Sequence, residues 1–127
     1  MTRFDPRHRK GREAEDQALI YLQQHGLKLL DRNFNCRFGE IDLVMQDRSA
    51  IQTHILVCVE VRYRQSSRFG GAAASVSPAK QQRLRTTIRR YVQLHRSTRS
   101  WPIRFDVVAL QGVHDNLQIT WLPRAFE

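Results

Sequence analysis

The sequence predicts a single α/β domain in which a mixed β-sheet is flanked by helices. Two segments have the apolar spacing of helices and five have the alternation or apolar runs of strands. Their order along the chain is αβββαβ followed by a further strand, which is typical of a mixed sheet with helices packed against it. The 127 residues are enough for one domain with a real core, so we take 1–127 as one domain.

The first helix is predicted over residues 11–25. Gly26 follows it and suits the left-handed position that ends many helices. Residues 1–10 are basic and polar, lack the apolar segment of a signal peptide, and are expected to form a flexible tail. The residues that share one helical stripe are Ala14, Ala18, Tyr21, Leu22 and His25.

Three strands are expected next, at 27–37, 39–46 and 54–64, as an antiparallel meander. The third strand contains ILVCVEVRYR, whose side chains alternate between the two faces of the sheet. An apolar face therefore stands against a face that ends in a carboxylate and a guanidinium. The first face has Val57, Val59, Val61 and Tyr63, and the second has Leu56, Cys58, Glu60 and Arg62.

The second helix is predicted to begin with Ser77 as N-cap and Pro78 as its first residue. The segment before it, within 65–80, is rich in Ser, Gly and Ala and is expected to be a mobile loop near a site. Two further strands are predicted at 102–111 and 117–122. The buried stripe of the helix is Leu84, Ile88, Tyr91, Val92 and His95.

The charge is strongly positive and segregated. The formal net charge is +9, and no acidic residue lies between Glu60 and Asp106, a stretch that holds eleven Lys and Arg. Such a surface attracts polyanions with an affinity that falls steeply with salt, so we expect DNA or another nucleic acid as partner. The alternative is a merely solvated basic surface. The predicted phosphate contacts are Arg64, Arg68, Lys80, Arg83, Arg85, Arg89 and Arg90.

The compartment is predicted to be the cytoplasm. No apolar run approaches the roughly 18 residues that span a membrane, and the basic helix lacks the exposed aromatic anchors of a membrane-surface helix. Cys36 and Cys58 both lie in predicted strands without zinc-binding spacing. Two reduced thiols are the favoured interpretation, and a disulfide is the weaker one.

The second strand, GEIDLV, places acidic residues beside those of the third. Alternation puts Ile41 and Leu43 on one face. An antiparallel hairpin register can set Asp42 opposite Glu60, and directly opposed side chains have Cβ atoms about 4.5–5.5 Å apart. The same register pairs Val44 with Cys58 and Glu40 with Arg62.

Two carboxylates at that distance repel each other unless a cation lies between them. Mg²⁺ commonly takes one or two carboxylates and completes its shell with water and phosphate oxygens. Asp42 and Glu60 are therefore candidate metal ligands, and Glu15 on the first helix could face the same cluster. The alternative is a cross-strand charge ladder on a wet face, with Glu40 paired to Arg62.

The ordered motifs resemble those of the YraN-like family of small bacterial proteins. They are GREAEDQALIYLQQHGLKLLDRNF, GEIDLV, VEVRYR, FGGAAASVSPAKQQRLRTTIRRYV and IRFDVVAL, and they span residues 11–110. The resemblance implies a restriction-endonuclease-like, PD-(D/E)XK core and a Mg²⁺- or Mn²⁺-dependent endonuclease site. By position it assigns Asp42 and Glu60 to the metal and Glu15 to a supporting acid.

This chain departs from that pattern at Arg62, where the family has Lys. Arginine keeps the positive charge but does not lose its proton, so it cannot act as a base. If that Lys acts as one preorganised donor, its loss costs roughly 10²–10³ in rate. Lys80, four residues before Leu84, is the predicted substitute, and the alternative is that it extends past Leu84 to water.

The sequence therefore predicts a nucleic-acid-binding protein resembling a metal-dependent endonuclease, with branched DNA as one candidate substrate and a homodimer as one candidate assembly. One alternative is a weak or inactive DNA-binding protein on the same scaffold, and another is an adaptor for a protein partner. Among the remaining residues, Asp106, Trp101 and Trp121 are expected to be structural. His25 and His95 are expected to be interior residues whose hydrogen bonds are satisfied.

Overall fold

The computed structural model describes residues 6–48, 54–64, 76–113 and 116–127, with only the backbone for 6–10. The helices are α1 (Pro6–Gln24) and α2 (Pro78–Leu94), and a 3-10 helix spans Arg96–Thr98. The strands are β1 (Leu27–Cys36), β2 (Gly39–Asp47), β3 (Ile55–Arg64), β4 (Ile103–Gln111) and β5 (Gln118–Phe126). The predicted loop before α2 lies largely outside these residues, and so does its Arg68.

The strands form one mixed sheet in the order β1-β2-β3-β4-β5. Only β3 and β4 are parallel, and the other neighbours are antiparallel. The connection between the two parallel strands contains α2, as expected for a crossover. The predicted α/β class and the antiparallel meander are confirmed, and the arrangement is compatible with a restriction-endonuclease-like core.

Each face of the sheet is covered by one helix. The cluster on the α1 side contains Leu43, Val57 and Val59, whereas the α2 side contains Leu56 and Cys58. The predicted alternation of β3 is therefore confirmed, and both of its faces are buried. The cysteines are free thiols, and burial raises the pKa of the Cys58 thiol well above its ordinary value.

The predicted alternation of β2 fails at one point. Ile41 packs with the α2-side cluster, whereas Leu43 packs with the α1-side cluster. The two residues therefore do not share a face, because the strand loses its regular pleat around Asp42. This irregularity falls where β2 parts from β3.

The start of α2 agrees with the prediction from local sequence, whereas the start of α1 does not. Ser77 Oγ accepts a hydrogen bond from Lys80 N at 3.1 Å, and Pro78 opens the helix, so the predicted start of α2 is confirmed. The helix α1 begins at Pro6, so residues 6–10 belong to it rather than to the predicted tail. Gly26 has φ +91°, as its predicted role after the helix requires.

The histidines at the two helix ends are exposed, so their predicted interior position was wrong. Each ring Nδ1 lies near the carbonyl oxygen four residues earlier. His25 is 2.8 Å from Tyr21 O and His95 is 2.9 Å from Tyr91 O. Each of these carbonyls also accepts a hydrogen bond from the backbone N–H of the same histidine, so the ring adds a second polar contact at the end of the helix. None of the described helices is long and apolar enough to cross a membrane.

Candidate active site at the fork between β2 and β3

The strands β2 and β3 are paired along only part of their length. Their ladder runs from Asp47 and Ile55 to Leu43 and Val59, and the next residues, Asp42 and Glu60, are not a ladder pair. Beyond this point β2 pairs with β1, while β3 continues beside β4 as far as Arg64. We call this divergence, at Asp42 and Glu60, the fork.

Asp42 occupies the opening of the fork. Its Oδ2 accepts a hydrogen bond from Val61 N at 2.7 Å. The side chain thereby satisfies a backbone donor that β2 no longer pairs, which fixes the carboxylate beside β3. The predicted register is confirmed by the pairing of Val44 with Cys58, but the ladder ends one step before Asp42 and Glu60, so these two residues are not a hydrogen-bonded ladder pair.

Asp42 and Glu60 nevertheless act on each other. Glu60 is 4% exposed and Asp42 is half-buried. Burial, followed by the negative charge of Glu60, raises the pKa of Asp42 from its ordinary value to about 7, and the Val61 N–H opposes that rise. The fork thus holds two carboxylates that are difficult to ionise together.

Lys80 reaches this pair from α2. Its Nζ lies 3.2 Å from Glu60 Oε1. The N-cap at Ser77 sets the start of α2 and thereby places Lys80 in its first turn, above the sheet. The predicted approach of Lys80 to the acidic face is therefore observed. No sequence spacing fixes this contact, because the two residues meet only when α2 packs on the sheet.

Arg62 lies at the same carboxylate. Its Nη1 is 3.7 Å from Glu60 Oε1, a longer contact than that of Lys80. Both cations therefore act on one oxygen of Glu60. Within the described residues, Asp42 Oδ1 and Glu60 Oε2 make no hydrogen bond, and no Lys or Arg forms an ion pair with Asp42.

Glu15 is held next to the fork rather than in it. Arg32 Nε donates to Glu15 Oε1 at 3.1 Å, and Arg32 Nη2 lies 2.7 Å from Asp16 Oδ1. The Asn33 amide, with its nitrogen turned to Glu15, adds two donor contacts. The charge of Glu15 contributes a smaller part of the rise in the pKa of Asp42.

The donor set fits a hard divalent cation through two carboxylates. In the part of the chain that the structure describes, no three acidic, histidine or cysteine side chains form a group that could hold a metal ion. Asp42 Oδ1 and Glu60 Oε2 remain as oxygen donors, and Mg²⁺ commonly takes one or two protein carboxylates. The mutual repulsion expressed in the pKa of Asp42 is what a cation between them would relieve.

The predicted phosphate-binding residues other than Lys80 differ in their surroundings. Arg85 Nε donates to Glu127 O at 2.6 Å, and its guanidinium lies 5.7 Å from the Phe126 ring, so it is directed toward the end of β5. Arg68 lies outside the described residues. The exposed ones are Arg64, Arg83, Arg89 and Arg90.

A second charged cluster, at Asp47, Arg104 and Asp106, was only partly expected. Arg104 donates two bonds to Asp106 at 2.9 Å and one to Asp47 at 2.7 Å. Asp106 is 0% exposed and also accepts from Trp121 Nε1 and Arg124 N. The predicted structural role of Asp106 thus has a physical basis. Its spacing to Arg104 was the available signal, whereas Asp47 was placed in a connection.

Comparison with known proteins identifies the family. The sequence pattern of Uncharacterised protein family UPF0102 matches residues 14–110. The chain belongs to this family. A UPF0102 protein of Janthinobacterium sp. (strain Marseille) is 53% identical over 117 residues, which cover 92% of this chain and 86% of that protein.

Two further relatives match over similar lengths. A UPF0102 protein of Nitrosomonas eutropha is 48% identical over 118 residues, covering 93% of each chain. One of Pseudomonas putida is 48% identical over 120 residues, covering 94% of this chain and 93% of the relative. The resemblance to the YraN-like family is therefore confirmed.

The fork of this UPF0102 chain has an Arg on β3 and a Lys on α2. Arg62 is two residues after Glu60 on the same strand, whereas Lys80 comes from a different element. Lys80 Nζ is the nearer cation and belongs to the more mobile and titratable residue type. The chain thus retains an ammonium group at the acidic pair even though its third strand reads VEVR.

Proposed function

We propose that this protein hydrolyses nucleic-acid phosphodiesters at the fork with the help of a divalent cation. The observation that carries the proposal is the Asp42–Glu60 pair, where β2 leaves β3 and Lys80 Nζ lies 3.2 Å from Glu60. A carboxyl group whose pKa is raised by burial and by a neighbouring acid, as that of Asp42 is, is common in catalytic sites.

The carboxylates of Asp42 and Glu60 would hold Mg²⁺ or Mn²⁺. A cation bound there would polarise the phosphodiester and favour ionisation of an attacking water. Asp42 contributes a carboxylate that the Val61 N–H keeps in place. Glu15, fixed by Arg32, adds negative charge near Asp42 without entering the donor set.

Lys80 and Arg62 would stabilise the negative charge that develops on the phosphate. Lys80 Nζ can move between Glu60 and a phosphate oxygen, because its side chain is about one third exposed. Arg62 offers fixed donors and no base, since its guanidinium stays protonated. We therefore assign the role of the Lys that the third strand lacks mainly to Lys80.

The positive surface supports a polyanionic substrate. The described part of α2 has no acidic residue and exposes Arg83, Arg89 and Arg90. Neutralising phosphates with such residues releases counterions and gives salt-dependent affinity. We propose DNA as the substrate, a cytoplasmic location consistent with two free thiols, and a homodimer when two strands are cut.

A binding-only function is the second candidate, and one observation favours it. Lys80 and Arg62 both lie at Glu60 Oε1, so the carboxylate already has cationic partners. If these cations occupy the place of the metal, the protein binds nucleic acid without cutting it. No described feature favours the third candidate, a protein-partner adaptor.

The test is a cleavage assay on linear, single-stranded and four-way-junction DNA with Mg²⁺, with Mn²⁺ and with EDTA. The native protein is expected to cut only with metal. Asp42→Asn and Lys80→Ala are each expected to lower the rate by about 10² or more. Lys80→Arg tests whether charge alone suffices, and Arg62→Lys is expected to raise the rate. Glu40→Gln, an exposed carboxylate of β2 outside the fork, is the matched control.

Three outcomes decide between the candidates. Metal-dependent cleavage that Asp42→Asn removes and Glu40→Gln retains supports the proposal. If only the Arg62→Lys variant cleaves DNA, the native protein lacks activity because residue 62 is Arg. Salt-dependent binding with no cleavage by any variant favours the binding-only function.

A further inference from the structure

A cleft on the α2 side of the sheet lies next to the turn between β1 and β2. The turn packs closely against α2 at Gly39. This glycine has φ +150°, and a Cβ on it would stand 3.1 Å from Thr87 Oγ1 and 3.8 Å from Arg83 Cβ. A side chain here would both strain the backbone and push the turn off the helix. The contact therefore sets the turn residues Arg37 and Phe38 beside α2.

The cleft has an exposed aromatic ring and basic walls. It encloses about 460 Å³ and is lined by Cys36, Arg37, Phe38, Arg90 and Gln93. Phe38 is 39% exposed, and Arg37 Cζ lies 4.8 Å from its ring centroid. The ring is thus fixed by a cation–π contact rather than by burial in the core.

The chemistry of the cleft matches a nucleotide. An aromatic ring offers a stacking surface to any base, while guanidinium groups nearby suit the phosphates on either side. Arg90 Nη1 lies 3.2 Å from Gln93 Oε1, so the two polar side chains of the far wall are ordered together. Glu40, which follows Gly39 at the start of β2, is an exposed carboxylate near the turn.

The cleft and the fork lie along the same helix. Lys80 marks the fork in the first turn of α2, and Arg90 marks the cleft ten residues later. At 1.5 Å per helical residue these positions are about 15 Å apart along the axis. That distance corresponds to about four nucleotides of a stacked strand at roughly 3.4 Å each. Arg83, next to the turn, lies between them.

We infer that the cleft binds an unpaired base of the nucleic-acid strand that enters the fork, by stacking on Phe38 with phosphates at Arg37 and Arg90. This inference rests on the proposed function for its partner and narrows the substrate to nucleic acid with a single-stranded segment. Bases inside a duplex are stacked on both faces and cannot reach such a ring without unpairing. A fully paired duplex would use only the arginines.

The test is binding without chemistry, in EDTA, by fluorescence anisotropy at one fixed salt concentration. The ligands are a blunt duplex and the same duplex with a short single-stranded extension. The native protein is expected to prefer the extended duplex by about tenfold, the effect of one stacked base. Phe38→Leu keeps apolar bulk but removes the aromatic face, and is expected to lose this preference. Phe38→Trp is expected to restore it.

Two controls separate stacking from general effects. Ile20→Ala removes another exposed apolar side chain, on α1, and is expected to keep the preference. Arg90→Gln is expected to weaken binding of the extended duplex more than Arg48→Gln, since Arg48 is an exposed arginine after β2 and away from the cleft. Thermal melts of each variant confirm folding.

The outcomes also separate this inference from the proposed function. Equal affinity of the native protein for both ligands, or an unchanged preference in Phe38→Leu, overturns the inference and leaves cleavage at the fork to its own assay. Absence of binding to either ligand overturns both. Asp42→Asn is measured in parallel, and is expected to keep the preference, because the cleft does not depend on the carboxylate pair.

Discussion

The fork and the Asp47–Arg104–Asp106 cluster are both buried groups of opposite charges, but they are built differently. Asp106 accepts four hydrogen bonds at 2.9–3.1 Å, two of them from one guanidinium. At the fork, the cations lie 3.2 and 3.7 Å from a single oxygen of Glu60, and the described cations form no ion pair with Asp42. The Asp106 carboxylate is therefore saturated with hydrogen bonds, whereas carboxylate oxygens at the fork are still available to a ligand.

The comparison shows that hydrogen-bond saturation, rather than the number of charges, separates a structural cluster from a candidate site. Burial by itself lowers the pKa of Arg104, yet the bonds to Asp106 and Asp47 raise it above its ordinary value. At Asp42 the charged form is disfavoured instead, because burial and the negative charge of Glu60 both raise the pKa of its carboxyl group. Breaking the saturated cluster is expected to destabilise the fold, whereas at the fork a proton or a further cation would relieve the repulsion between Asp42 and Glu60.

The largest expected effect is from Asp106→Asn. This change removes the charge that faces Arg104 and replaces an acceptor of the Arg104, Trp121 and Arg124 donors with an amide nitrogen. Breaking a buried pair typically costs about 3–5 kcal/mol. Urea unfolding at pH 7 measures the loss, and Asp31→Asn on β1 is the control. A loss below about 1 kcal/mol would show that the cluster is less important than its bonds indicate.

Asp42→Asn is expected to raise the free energy of unfolding at neutral pH, whereas Asp106→Asn lowers it. The folded pKa of Asp42, about 7, is higher than the ordinary value of 3.8. The protonated Asp42 side chain therefore contributes to folding stability below about pH 4, and this contribution is lost as the pH rises through 7. Asn avoids that loss and can still accept the Val61 N–H bond. We expect the variant to be more stable than the native protein at pH 8, on the order of 2 kcal/mol, and equal to it at pH 4.

That prediction is checked by unfolding curves of both proteins between pH 4 and 8. The difference in the free energy of unfolding should grow with pH. A difference independent of pH would contradict the raised pKa of Asp42 and would make the fork resemble the Arg104 cluster.

Mg²⁺ should stabilise the native protein at pH 8 by filling the fork. At a concentration about ten times Kd, binding to the folded state contributes about 1.4 kcal/mol. The effect should shrink at pH 5, where Asp42 holds its proton, and be absent in Asp42→Asn. Thermal melts with and without Mg²⁺ measure this without any substrate. An equal Mg²⁺-induced rise in melting temperature in Asp42→Asn would show that Mg²⁺ binds elsewhere on the protein. The control Glu40→Gln should show the same rise as the native protein.

The smallest expected effect is from Ser77→Ala. Loss of the cap bond to Lys80 N should cost about 1 kcal/mol, as for other N-caps. Because the cap also fixes the turn that contains Lys80, cleavage should fall along with stability. Ser100→Ala, an exposed serine outside the cap, is the control. Unchanged cleavage despite the lost stability would show that α2 packing alone positions Lys80.

The helices, the strands and most of their buried faces follow from local sequence patterns. Alternation in β3 separated Val57 and Val59 from Leu56 and Cys58, and the Ser77-Pro78 pair set the start of α2. These features depend on the period of a strand and on local backbone bonds, which neighbouring residues specify. The candidate acids and Lys80 were also identified at this level.

The contacts among those residues depend on how the elements pack together. The ladder ends at Leu43 and Val59, one step before Asp42 and Glu60. The Asp42 carboxylate accepts a hydrogen bond from Val61 N, and Ile41 leaves the face of Leu43. The contact of Lys80 with Glu60, the bond of Arg104 to Asp47 and the cleft at Phe38 all join distant segments. Where two elements part or touch depends on packing between residues far apart in the chain, and no local spacing encodes that.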